Sequence, residues 1–235
     1  MSGSAAPLRG ADRPLVVELA GLAGAGKSSL TRALARLDPQ IRARPQVSWA
    51  RYLACVPPLV PTLFSLHWPF RGVLRKEMKR VLRLQALRRL AQGTLDCGTL
   101  LFDEGPVYML ARTLVFGGRN IQTHGFQRWW RHAIARWAET LDVIIWLEAP
   151  DDLLAARLRT RPEHPFGDVD DRAVSALLCA YREAFTRVIG ELTAGAGPRL
   201  WTVPTDRGSV DSQARELLAR LRVARGTARR VREIA

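Results

Sequence analysis

The stretch that decides the fold is residues 15–37, LVVELAGLAGAGKSSLTRALARL. Residues 15–20 are apolar and partly β-branched with a single acid, the pattern of a short strand buried on both faces of a parallel sheet. Residues 21–28 then satisfy G-x-x-x-x-G-K-[ST]. Their glycines admit the positive φ angles that let successive backbone N–H groups curl around a phosphate chain. From Lys27 onward, Leu30, Leu34 and Leu37 recur at helical spacing until Asp38-Pro39 ends the pattern. Strand, glycine loop and helix in direct succession are the context this motif requires.

The chemistry follows from that context. A helix N-terminus beneath the loop offers unsatisfied N–H donors and a positive partial charge to an anion. Lys27 is placed to contact β- and γ-phosphates, and the Ser28 hydroxyl to enter a Mg²⁺ shell. Gly21, Leu22, Ala23, Gly24, Ala25, Gly26, Lys27, Ser28 and Ser29 are therefore the candidate nucleotide site, with ATP and Mg²⁺ as the expected cofactors. No Asn-Lys-x-Asp signature is found, which argues against guanine nucleotides.

Downstream, residues 99–102 (TLLF) predict a buried strand that ends in Asp103-Glu104-Gly105-Pro106. An acid at that point, Asp103, is the second candidate Mg²⁺ ligand. Glu104 has two readings, a base that deprotonates an attacking hydroxyl or a solvated loop acid. Residues 143–147 (VIIWL) give the clearest strand, and the helix after it ends with Arg157 and Arg159 just before Arg161. Guanidinium groups there would close over the phosphates and stabilise charge on a moving phosphoryl group, with Arg157 and Arg161 favoured. Arg83, Arg112 and Arg119, with a helix bearing Trp129, Trp130 and Trp137, are candidate contacts for an acceptor. His124 reads equally as a surface residue.

The remaining pattern alternates. A thin second strand is expected at 46–49, a helix with Tyr108, Leu110, Ala111 and Leu114 on one side running to Gly117-Gly118, helices at 126–140, about 172–192 and from about 210, and a last strand at 199–203. Asp151 or Asp152 is expected to cap the helix after VIIWL. The Pro-broken apolar segment 56–70 has no legible purpose. Between Arg71 and Arg89, leucine and valine alternate with arginine as in a basic amphipathic helix. Such a helix can rest on an anionic membrane, giving a peripheral contact; the plainer reading is a surface helix with its polar face in water. Strands alternating with helices predict a parallel sheet covered on both faces.

Composition sets outer bounds. With 235 residues, 47% hydrophobic and 25% charged, the chain has material for one sizeable α/β domain. The net charge of +14 comes from arginine spread along the whole chain, lysine being confined to positions 27, 76 and 79. That spread reads as a compositional bias, and nucleic acid is not an expected partner. Three cysteines without metal-ligand or paired spacing suit a reducing, cytoplasmic setting. Residues 1–13 lack the apolar core of a signal peptide and are expected to form a disordered lead-in.

The order of these parts resembles the nucleoside and nucleotide kinase group of P-loop proteins, and within it the thymidylate kinase-like branch, over roughly residues 15–222. Residues 103–119, DEGPVYMLARTLVFGGR, are similar to that branch's stretch beginning Asp-Arg-Tyr, with Asp103, Ala111 and Gly117-Gly118-Arg119 in matching places. The segment RLRTR is similar to its lid arginines. The resemblance implies a three-layer α/β fold with a five-stranded parallel sheet in the order 2-3-1-4-5, ATP with Mg²⁺, and an acceptor bound across a groove. It also implies a domain at 14–222, a lid at about 157–171, a basic tail at 223–235, and adenine contacts near Thr205 and Asp206. Two positions depart from the pattern: the Arg of Asp-Arg-Tyr is Glu104 and the Tyr is Gly105. A carboxylate there repels a nucleoside monophosphate, which points to an acceptor hydroxyl without a phosphate rather than to thymidylate. The expectation is an ATP-dependent phosphotransferase with a small-molecule acceptor, nucleotide- or nucleoside-like first and a sugar, antibiotic or lipid-linked hydroxyl second. The alternative is an ATPase acting as a regulatory switch, and either form leaves room for a homodimer.

Overall fold

In the computed structural model, residues 13–46, 55, 74–93, 98–117, 121–160 and 171–233 are described. Five strands, β1 (Leu15–Gly21), β2 (Ile41–Ala43), β3 (Thr99–Phe102), β4 (Val143–Glu148) and β5 (Arg199–Pro204), form one sheet in the order β2-β3-β1-β4-β5. Every pairing is parallel. The helices are α1 (Lys27–Leu37), α2 (Leu74–Gln92), α3 (Pro106–Phe116), α4 (His124–Thr140), α5 (Asp151–Arg159), α6 (Asp171–Thr193) and α7 (Val210–Glu233). Fold class, strand number and strand order agree with the expectation from sequence.

β1 lies at the centre with all seven residues buried, so its side chains meet helices on both sheet faces. That double burial is why the strand reads as a nearly continuous apolar run. α1 and α7 cover one face through Leu30, Leu34, Leu217 and Leu221, while α3 and α6 cover the other through Val107, Leu110, Phe185 and Val188. Fully burying such side chains stabilises by about 1.5–3 kcal/mol each.

The second strand falls at Ile41–Ala43, ahead of the stretch 46–49 where sequence placed it; Gln46 lies outside any strand, and 47–49 fall outside the described residues. Only Ile41 of the three is buried. The strand exists because its backbone pairs with β3, and apolar content does not report such pairing. The α5 cap also differs. Pro150 holds the N-cap position, and Asp151 and Asp152 sit in the first turn, where their charge still favours the positive helix end.

The amino-terminal edge of the sheet is tied by polar side chains. Arg13 forks onto the buried carboxylate of Asp142 at 2.6 and 2.9 Å, and Asp142 also accepts the Val16 N–H at 2.8 Å. Arg225 reaches Thr99 Oγ1 at 2.8 Å and Gln40 Oε1 at 2.6 Å. α7 runs continuously past position 223, and Ala224 is buried within the body. On α2, Val81, Leu84, Leu87 and Leu90 face inward, leaving Arg83 and Arg89 exposed. Among the described residues, no helix is long and apolar enough to cross a membrane. Residues 56–70 lie outside the described set.

Candidate active site at the carboxyl edge of the sheet

The loop between β1 and α1 owes its shape to two left-handed glycines, Gly24 at φ 85° and Gly26 at φ 89°. A side chain would be strained at either position. At Gly24 a Cβ would also stand 3.1 Å from the Leu154 carbonyl oxygen. Gly26 is the N-cap of α1 and carries no side-chain cap, and the first helical turn holds no acid. The open end of the helix thus presents amide donors and a positive dipole that no acid of its own first turn offsets. Lys27 folds back over the loop, its Nζ donating to the carbonyls of Gly21 at 2.7 Å and Leu22 at 2.9 Å. This donor set fits a nucleotide's polyphosphate.

Gly21, Lys27, Ser28 and Glu104 line a cleft of about 410 Å³ whose far wall is Tyr108, Arg112 and Tyr181. Sequence separation hides this wall, since α3 supplies Tyr108 and Arg112 while α6 supplies Tyr181. The two phenol rings stack at 6.4 Å with their planes 2° apart. Arg112 Nη1 donates to Tyr181 Oη at 3.1 Å and Tyr108 Oη at 3.4 Å, and the guanidinium lies 4.8 Å over the Phe116 ring. Burial alone would lower the Arg112 pKa, but the two phenol oxygens outweigh it and shift it up. Burial, reinforced by Tyr108, raises the Tyr181 phenol against the pull of Arg112. The guanidinium is therefore fixed in place and charged.

Asp103 directly follows β3, with 8% of its surface exposed. Its Oδ2 accepts Nε and Nη2 of Arg44, both at 2.5 Å. Arg44 follows β2 with φ 48°, a left-handed conformation that costs a non-glycine residue about 1–3 kcal/mol. Its backbone N–H stays on β3 through Leu101 O at 3.0 Å. Among the described residues, no group of three or more His, Cys, Asp or Glu could hold a metal ion.

Beneath this edge lies Glu18, fully buried in β1. Its carboxylate accepts the amide hydrogens of Val107 at 2.8 Å and Tyr108 at 3.0 Å, capping α3 from another strand. Burial pushes its pKa up to about 8, against the opposing effect of amides from Tyr108, Val107 and Gly105 and with a smaller push from Asp103. A Cβ on Gly105 would stand 2.7 Å from Glu18 Oε2 and 2.7 Å from Phe102 Cβ. Glu18 and Phe102 together leave no room for a side chain at Gly105.

The other sequence candidates divide. Arg157 is tied, its Nη1 donating to Gly24 O at 3.2 Å and its Nη2 to Thr205 O at 3.0 Å, so it braces the phosphate loop against the segment after β5. Arg83 lines a second cleft, of about 580 Å³, together with Arg44, Gln46, Asp103 and Glu104. Asp206 lines a third, with Arg182 and Arg207. His124 is exposed at the start of α4, and Trp130 and Trp137 are buried core residues. Arg119 and Arg161 lie outside the described residues. Sequence reading passed over Arg44, Glu18 and Tyr181. The lone acid in a buried strand was the available signal for Glu18; nothing local marks the other two.

Comparison with known proteins places this architecture. No protein-family model matches the chain, and no curated protein sequence matches it. Among solved structures, thymidylate kinase from Candida albicans superposes with a TM-score of 0.54 at 14% identity, covering 92% of this chain and 94% of that one. Deoxyadenosine kinase from M. mycoides, with products dCMP and dCDP bound, gives 0.52 at 13%, covering 89% and 100%. The YorR protein of Bacillus subtilis, in complex with phosphorylated GDP, gives 0.50 at 14%, covering 88% and 96%. The chain has a P-loop fold. Within that class, its five-stranded topology is the one shared with nucleoside and nucleotide kinases.

Proposed function

We propose that the protein is an ATP- and Mg²⁺-dependent phosphotransferase that moves the γ-phosphoryl group to a small-molecule acceptor. The acceptor is nucleotide- or nucleoside-like in the first instance, with a sugar, antibiotic or lipid-linked hydroxyl next. One observation carries this reading: the phosphate loop and the Tyr108–Arg112–Tyr181 wall line the same cleft. A site for hydrolysis needs only water beside the γ-phosphate, whereas this cleft has room and an aromatic, cationic surface for an organic molecule.

In this reading Lys27 leaves its loop carbonyls for the β- and γ-phosphates. Ser28 and Asp103 would hold Mg²⁺, which would neutralise charge on the phosphates. Glu104, exposed at the mouth of both clefts, accepts the proton of the acceptor hydroxyl. Arg112, held by the two phenols, contacts the acceptor across the cleft. Arg157 positions the loop, and Thr205 and Asp206, whose segment Arg157 links to Gly24, would contact the base. Arg161 supplies a lid cation and Arg119 an acceptor contact. Thymidylate is not the expected acceptor, because Glu104 stands where the related pattern has arginine.

ADP release from Mg-ATP by the purified protein tests this, first alone and then with nucleosides, nucleoside monophosphates, sugars and aminoglycoside-like alcohols. Stimulation by one class supports transfer and names its chemistry. Steady hydrolysis that no acceptor alters supports the second reading, a regulatory ATPase, which the solvent exposure of Glu104 beside Asp103 favours.

A further inference from the structure

The wall that faces the phosphate loop is one-sided in its hydrogen bonding. Arg112 commits Nη1 to the phenol oxygens of Tyr181 and Tyr108, at 3.1 and 3.4 Å, and its face to the Phe116 ring. Among the described residues its Nε and Nη2 have no partner, so the side edge of the guanidinium is open. A phenol oxygen that already accepts from a cation is a stronger donor and a weaker acceptor. The Tyr181 phenol, shifted up chiefly by burial, keeps its hydrogen at neutral pH. What this wall offers a ligand is therefore N–H and O–H hydrogens. Beside them stand Val174, Leu177 and Phe185, which carry no polar side-chain atom. Glu104, in the same cleft, is the opposite case: its carboxylate only accepts, and no described residue donates to it.

A nucleobase or a neutral sugar brings about as many donors as acceptors, and donors left unmatched on binding are costly. An oxyanion brings acceptors alone and matches the wall. The balance of charge selects among oxyanions. One guanidinium edge pairs with one carboxylate, whereas a phosphate dianion at Arg112 would face Glu104 and the nucleotide's own phosphates with part of its charge uncompensated.

We infer that the Nε–Nη2 edge of Arg112 and the hydroxyls of Tyr108 and Tyr181 bind a carboxylate of the acceptor, whose apolar skeleton lies on Val174 and Leu177 and whose hydroxyl reaches Glu104. The acceptor is a hydroxy acid with an apolar body. The two tyrosines fix the direction of the open edge, since their rings lie within 2° of parallel and both oxygens accept from the same nitrogen. The inference rests on the phosphotransferase reading and narrows its small-molecule acceptor to one class, ahead of nucleosides and neutral sugars.

The test uses the full chain loaded with Mg-AMPPNP, which fills the phosphate loop so that an added anion reports on the facing wall. Binding of 4-fluorobenzoate, a carboxylate on an apolar ring, and of its neutral counterpart 4-fluorobenzamide is followed by ¹⁹F NMR line broadening, with inorganic phosphate as competitor. 4-Fluorobenzoate should bind more tightly than the amide, and its affinity should fall about tenfold in Arg112→Met, the loss expected for a charged hydrogen-bonded pair. Arg112→Lys, which keeps the charge and loses the fork, should recover part of it. Tyr181→Phe, which removes one donor and one support of the guanidinium, should weaken it several-fold, while the amide should be indifferent to all three changes. No binding of 4-fluorobenzoate to wild type, or equal affinity in wild type, Arg112→Met and Tyr181→Phe, with Mg-AMPPNP still bound, overturns the carboxylate site and leaves the phosphotransferase reading standing. Displacement by phosphate at a concentration comparable to that of 4-fluorobenzoate overturns the choice of a carboxylate. Failure of the wild-type chain to bind Mg-AMPPNP overturns both readings.

Discussion

The two walls of the cleft at the phosphate loop are built on opposite principles. The phosphate wall is nine consecutive residues, Gly21 to Ser29, shaped by local backbone rules: left-handed glycines, a helix start, a lysine folded onto its own loop. The facing wall is assembled from residues far apart in sequence, with Arg112 of α3 held by Tyr181 of α6 and α3 itself capped by Glu18 of β1. A local device works wherever its strand and helix form. A distributed device works only when the core beneath it is correctly packed, so damage to it should appear first as instability and altered acceptor binding.

Lys27→Ala should break the phosphate wall with the largest effect, cutting turnover about a thousandfold or more while circular dichroism and thermal unfolding stay near wild type. Substantial activity in a folded Lys27→Ala protein would move the site elsewhere. Glu18→Ala breaks the distributed wall from below. It leaves the amides of Val107 and Tyr108 unpaired in the core and should lower unfolding stability by about 3 kcal/mol in denaturant titrations. A loss under ~1 kcal/mol would mean that the α3 cap is dispensable.

Arg112→Ala tests the same wall from the cleft side. KM for the acceptor should rise about tenfold with KM for ATP little changed, a loss worth about 1.4 kcal/mol. Equal changes in both constants would show that Arg112 serves the nucleotide. A double-mutant cycle of Arg112→Ala with Tyr181→Phe should give a coupling of about 1 kcal/mol, whereas additivity would mean that the phenol does not hold the guanidinium.

The smallest effect is on pH. Glu18 is raised from an ordinary 4.5 to about 8 in the folded protein, so between those values the folded state holds a proton that the unfolded state has released. Stability from this group is present below the ordinary value and falls as pH rises toward about 8. The melting temperature should therefore be lower at pH 8.5 than at pH 6 by more in wild type than in Glu18→Gln. Identical slopes in the two proteins would show that the carboxyl is already charged at neutral pH.

The comparison also explains what could be read early. β1, α1, β3 and β4 were legible because a strand buried on both faces must be apolar throughout and a phosphate loop needs glycine and lysine at fixed intervals. β2 was misplaced because its short backbone pairs with β3 without leaving an apolar signature. Asp103 was legible as an acid ending a buried strand, but its partner Arg44 was one arginine among many. Arg157 was visible as a basic residue near the loop, yet only its bonds to Gly24 and Thr205 show that it braces the site.

By itself, then, the sequence determined the sheet class, the phosphate loop and the acid at the end of β3, because each follows from interactions within a few residues along the chain. Only the tertiary structure decided that Glu18 caps α3, that Gly105 must lack a side chain, that Tyr108, Arg112 and Tyr181 make one surface, and that Arg44 closes on Asp103. Those contacts join residues from different strands and helices, and their energies depend on burial and distance, which no local pattern records.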